Sequence, residues 1–157
     1  MTSDGSNLVL TNENLEAVIR QFTGRLSIYS RANRRQILRA LHWSRQLHEG
    51  QKRDSGEPYI IHPLKVAEIL IDLKMEPATI LGALLHDVLE DTDIRHEEFA
   101  EYFGEEVYTL VDGVTKIDDI DIGKGHRKAA SLRKMIWAMV DDLRIIFIKL
   151  ADKCHNM

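Results

Sequence analysis

The chain has little cysteine, no long apolar run and no surplus of positive charge, and each lack closes off a class of answers. One cysteine in 157 residues, Cys154, cannot make an internal disulfide or supply the paired C-x-x-C spacing of a cysteine-based zinc site. A reducing, cytoplasmic setting is the default expectation. No stretch approaches the roughly 20 apolar residues of a membrane-spanning helix, and residues 1–10 carry Asp4 and no basic-then-apolar leader pattern, so no membrane partner is expected. The 21 Lys and Arg stand against 25 Asp and Glu, a net charge of −4, the wrong sign for binding duplex nucleic acid by phosphate neutralisation. No nucleic-acid partner is expected through this chain, whereas a small anionic ligand needs only a few local cations.

What is present is helical periodicity, in a length that suits one compact domain. Residues 1–12 are polar and aperiodic, so a frayed start is expected, followed by a helix over about 13–26 from Leu15, Val18, Ile19 and Phe22. Asn33 with Gln36 reads as a capping box for a helix over 34–49, closed by Gly50. Residues 51–61, QKRDSGEPYII, read as a loop, and Pro63 and Pro77 each suit the first turn of a helix, over 63–74 and 77–89. The second of these is apolar on nearly every side and should be central. Shorter helices are expected over 95–102 and 105–114, then a mobile loop over 118–128, then an amphipathic helix marked by Leu132, Met135, Ile136, Met139 and Val140. The run 145–150 suits a buried strand or a buried helix; with no second strand to pair with, helix is expected. The fold class predicted is all-α, a helical bundle.

The anomaly lies in the most apolar helix, where LLHDVLED sets His86, Asp87, Glu90 and Asp91 among leucines. Residues four apart share a helical face, so His86 lies over Glu90 and Asp87 over Asp91. A carboxylate held away from water must be paired or bound to metal, since each unpaired ion costs several kcal/mol. The plainer alternative has Glu90 and Asp91 ending the helix in solvent while His86 and Asp87 share an ordinary hydrogen bond. Two more residues weigh against it: His62 precedes a helix-opening proline, and Asp152 interrupts the apolar run IIFIKLAD. Two imidazoles and two carboxylates form a mixed N and O set that suits Mn²⁺, Fe²⁺ or Zn²⁺ better than Ca²⁺. His42, His48, His96 and His126 are expected at the surface, and His155 and Cys154 as structural residues. The basic group Lys124, Arg127, Lys128, Arg133 and Lys134 could meet polyphosphate, although such groups are more often solvent-facing charge.

The order H, HD, D resembles the HD metal-dependent phosphohydrolases. More narrowly, EGQKRDSGEPYIIHPLKVAEIL, ATILGALLHDVLEDT, FGEEVYTLVDGVTKI and IKLADKCHNM resemble the hydrolase domain of the RelA/SpoT homologue family, which makes and destroys the alarmones ppGpp and pppGpp. The resemblance covers about residues 30–157, leaving 1–29 as an N-terminal segment, partly disordered and then helical. It implies an HD-domain helical bundle that removes the 3′-pyrophosphate of (p)ppGpp with Mn²⁺, returning GDP or GTP. It also implies metal ligands at His62, His86, Asp87 and Asp152. Glu90 and Asp91 would position and activate the attacking water. Lys52, Arg53 and Ser55 would pack around the guanine, and Asn156 would contact the nucleotide.

Many relatives read ADRLHNMRTL where this chain reads ADKCHNM and stops. The expectation is therefore an N-terminal piece of a longer protein, in which synthetase and regulatory domains follow and the parent is also a GTP pyrophosphokinase. Two other readings are a non-catalytic alarmone-binding module and an HD phosphohydrolase for another nucleotide, the latter disfavoured by QKRDSGEPYIIHP.

Overall fold

The computed structural model describes residues 12–121 and 142–156. The described residues are helical, with no strand beyond an isolated bridge between Lys52 and Pro58. In chain order the helices are α1 (Asn12–Arg25), a 3-10 turn (Leu26–Ile28), α2 (Arg31–Leu47), α3 (Ile61–Asp72), α4 (Pro77–Leu85), α5 (Val88–Asp91), α6 (His96–Phe103), α7 (Glu105–Asp121) and α8 (Leu143–Asn156). The all-α expectation holds for these residues. The expected helix marked by Leu132–Val140 and the basic group 124–134 lie outside the described residues, as do residues 1–11.

Several boundaries moved, each for a local reason. Helix α2 is capped by Ser30, whose Oγ accepts from Asn33 N at 3.2 Å, so the cap lies one turn upstream of the expected Asn33. Helix α3 begins at Ile61, which puts His62 inside its first turn; Pro63 still needs no N–H there. Helix α7 runs on to Asp121, through the first part of the expected loop at 118–128.

The expected helix 77–89 is interrupted. Helix α4 stops at Leu85, and α5 starts at Val88. His86 Nδ1 lies 2.6 Å from the Ala83 carbonyl, an acceptor that a continuing helix would offer to the main chain. The interruption places His86 and Asp87 at a corner between two helices.

One core joins these elements. Phe22, Leu26, Ile37, Leu64, Leu84, Leu110 and Ile148 are fully or almost fully buried within it. Helix α4 is covered by α2, α3, α7 and α8, so its apolar character on all sides matches its central place. Two glycines let α8 come close. A Cβ on Gly82 of α4 would stand 2.9 Å from Ile148 Cδ1, and one on Gly113 of α7 would clash with Ile145. The close approach brings Asp152 of α8 to His86 at the end of α4. At the other end of the same pair, Arg144 of α8 meets Glu76, the N-cap residue of α4.

Candidate metal centre

His62, His86 and Asp87 each offer one donor atom, and the three atoms lie within 4.8 Å of one another. His86 Nε2 is 3.1 Å from Asp87 Oδ2, and His62 Nε2 is 3.9 Å from the same oxygen. Asp152 closes the group from α8, its Oδ1 2.7 Å from His62 Nε2 and 3.4 Å from His86 Nε2. His62, His86 and Asp152 are buried and Asp87 nearly so.

The hydrogen bonding of His86 fixes its tautomer. A carbonyl only accepts, so Nδ1 donates to Ala83 O and a neutral ring leaves Nε2 bare. That Nε2 is buried and makes no hydrogen bond among the described residues. An imidazole nitrogen without a hydrogen bond, facing two carboxylates and a second imidazole, fits a divalent metal, since an unpaired buried polar atom otherwise costs about 1–3 kcal/mol. The plainer alternative of a simple His86–Asp87 hydrogen bond does not describe this geometry.

The electrostatics follow the same layout. Burial opposes ionisation of Asp152, but the hydrogen bond from His62 and the charges of His86 and Lys149 outweigh it and hold the carboxyl well below the usual range. Asp87 is likewise lowered to about 2, against its burial, by the charge of His86 and by the hydrogen bond from Tyr59. In the metal-free protein, burial disfavours protonated His86, yet Asp87 and Asp152 raise it well above its ordinary value. A divalent cation would take the place of that proton.

Glu90 and Asp91 are exposed at the end of α5, as the plainer alternative has it, and Asp91 is close enough to Asp87 to feel its charge. Partial burial of its carboxyl, followed by the charge of Asp87, raises Asp91. The loop residues come together with the end of α8. Lys52, Arg53, Asp54, Ser55, Glu57, Tyr59, His155 and Asn156 line an open cleft of about 600 Å³. Gly56, at φ 88°, makes the tight turn of this loop possible, and Arg53 N donates to Glu57 O at 2.9 Å. Arg53 Nη2 donates to Asn156 Oδ1 at 2.6 Å, and Asn156 Nδ2 donates to Asp152 Oδ1 at 3.2 Å. Lys52 and Ser55 line the cleft as exposed side chains.

Four residues at or near the centre were missed from the sequence. Tyr59 donates its hydroxyl to Asp87 Oδ2 at 2.6 Å. Lys149 is buried and donates to Asp152 Oδ2 at 3.2 Å, a contact its i−3 spacing made legible. His155 is no bystander: its Nδ1 is 2.7 Å from His62 Nδ1, and burial, then the charges of His62 and Arg53, lower its pKa. His48, expected at the surface, is buried with its ring 4.7 Å from that of Tyr59. The exposed places expected for His42 and His96 are observed; His126 lies outside the described residues.

Comparison with known proteins gives this geometry its family. A family model described as HD domain matches residues 40–157. The chain belongs to the HD domain family. Its relatives place it in the RelA/SpoT branch of that family. It is 46% identical over 146 residues to a GTP pyrophosphokinase of Streptomyces coelicolor, covering 93% of this chain and 17% of the relative. It is 50% identical over 115 residues to the bifunctional (p)ppGpp synthase/hydrolase SpoT of Escherichia coli, covering 73% of this chain and 16% of the relative. A solved structure, described as a metazoan orthologue of SpoT that hydrolyses ppGpp and plays a role in starvation responses, superposes with a TM-score of 0.66. That match has 32% identity and covers 82% of this chain and 70% of the other. This HD domain chain thus spans about a sixth of the length of those two curated relatives. No helix among the described residues is long and apolar enough to cross a membrane.

Proposed function

We propose that this HD domain hydrolyses the 3′-pyrophosphate of (p)ppGpp, returning GDP or GTP and pyrophosphate, with Mn²⁺ as cofactor in the cytoplasm. The observation that carries this reading is the convergence of His62, His86, Asp87 and Asp152 beside a cleft lined by Arg53 and Asn156. In the same reading, the parent chain carries synthetase and regulatory domains and is also a GTP pyrophosphokinase.

Those four residues would hold the ion. When bound, it supplies Lewis-acid stabilisation of phosphoryl charge and makes a nearby water more acidic. Asp91 takes the water's proton, a role that suits a carboxyl whose pKa lies above the ordinary value, and Glu90 orients that water. The bond between the ribose 3′ oxygen and phosphorus breaks, the oxygen leaves with a proton, and the pyrophosphate keeps the oxygen of water. Arg53 is gripped along the edge of its guanidinium by Asn156, an arrangement that leaves the planar face for stacking on guanine. Lys52 and Ser55, at the rim, face the nucleotide from solvent.

The test is incubation of the chain with ppGpp and Mn²⁺, resolving the products by anion exchange. Equimolar GDP and pyrophosphate are expected. Binding without turnover would instead identify a non-catalytic alarmone module, and turnover of other nucleotides alone would move the substrate elsewhere.

A further inference from the structure

We infer that His155 is a positioning residue that fixes which nitrogen of His62 faces the metal. The inference rests on the metal-centre reading above and concerns a residue outside the ligand set. Arg53 Nη1 lies 3.4 Å from His155 Nδ1, and a guanidinium can only donate. His155 Nδ1 is therefore a bare acceptor. The other group against that nitrogen is His62 Nδ1, at 2.7 Å, so the hydrogen between the two rings belongs to His62. His62 Nε2 then faces the carboxylates, hydrogen-bonded to Asp152 Oδ1 at 2.7 Å and 3.9 Å from Asp87 Oδ2, and a cation would take the place of the hydrogen it shares with Asp152. His86 reaches the same state through the Ala83 carbonyl. The two rings thus present matching nitrogens to one point, one held by main chain and the other by a side chain that sits three residues beyond Asp152 on the same face of α8.

The ring geometry agrees. The His62 and His155 centroids are 4.9 Å apart with planes 29° apart, close enough to coplanar for an in-plane N–H···N bond. Partners of this kind orient a ligating imidazole and raise its basicity, and their loss costs about 10–100-fold in metal affinity. Because His155 touches no candidate donor except His62, its effect on the metal must pass through that ring's orientation.

The experiment is Mn²⁺ affinity, read from the paramagnetic resonance of free Mn²⁺ in titrations of the native chain, His62→Ala, His155→Ala and His155→Gln. His62→Ala should abolish binding. His155→Ala should weaken it by about 10–100-fold with an unchanged melting temperature in the absence of metal, and His155→Gln, whose amide oxygen can accept the same hydrogen, should recover most of the loss. His155→Ala within twofold of native, with His62→Ala inactive in binding, overturns the inference and leaves the metal centre standing. Full affinity in His62→Ala overturns the metal centre itself. A readout independent of substitution is ¹⁵N imidazole resonance of the native chain loaded with diamagnetic Zn²⁺. His62 should keep a proton on Nδ1 and lose it from Nε2, and the reverse pattern contradicts the inference.

Discussion

At one end of the α4–α8 pair, Arg144 gathers Glu76, Glu106 and Asp142 near the surface; at the other, His62, His86, Asp87 and Asp152 meet under cover. Both groups join the same two helices through charge. The surface group is complete in itself: the guanidinium fork has three carboxylate partners and Arg144 N donates to Asp142 as well. The covered group is incomplete, with a buried imidazole nitrogen that has no hydrogen bond and two carboxylates held ionised against their burial. A finished network at the surface stabilises modestly. An unfinished one in the interior is a place prepared for a ligand.

Removing a ligand should break the contrast most strongly. Asp152→Ala should lower Mn²⁺ affinity by more than the roughly 100-fold typical of an outer partner and abolish (p)ppGpp hydrolysis, whereas Arg144→Ala should leave both intact. Parallel calorimetric titrations and product assays check this. Next in size, Glu90→Gln or Asp91→Asn should cut turnover by about 10²–10⁴-fold while Mn²⁺ affinity stays near native. Equal loss of affinity would move these carboxylates into the ligand set.

The two ends should also differ in how they respond to metal. Mn²⁺ at about 100 times its dissociation constant should stabilise the native chain by about 2.7 kcal/mol through mass action, a rise in melting temperature of roughly 5–10 °C for a chain of this size. His86→Ala should show no rise, and Arg144→Ala should show the full rise from a baseline about 1 kcal/mol lower. Differential scanning calorimetry separates the three cases.

The smallest effect concerns pH at the surface end. A hydrogen bond from Arg144, against the opposing effect of burial, lowers Asp142 below its ordinary 3.8. A depressed carboxyl stabilises the fold above its unfolded value and loses that contribution as pH falls through its folded value. Native stability should therefore fall below pH 3.8 by slightly more than that of Asp142→Asn, in urea denaturation at fixed ionic strength.

How much of this was legible depended on what each residue's signal rested on. Helical periodicity and the two prolines located α3 and the start of α4, because apolar spacing and the absent N–H are local properties. The interruption after Leu85 was not legible, since it arises from a side chain, His86, bonding to a carbonyl of its own helix. His62, His86, Asp87 and Asp152 stood out as ionisable groups in apolar surroundings. Tyr59 and His155 did not, because an amphipathic ring and a terminal histidine look ordinary until the fold brings Asp87 and His62 against them. The Arg144 network was equally hidden. Its partners come from three separate helix starts, and no spacing in the sequence connects them.

The claim that the covered end of the α4–α8 pair is a metal centre is tested most directly by anomalous diffraction from crystals of the chain soaked in Mn²⁺. The account predicts a single ion in contact with Nε2 of both His62 and His86 and with carboxylate oxygens of Asp87 and Asp152, and no ion at the Arg144 network. A manganese ion seated elsewhere, or His86 Nε2 turned away from the ion it is meant to hold, would contradict it.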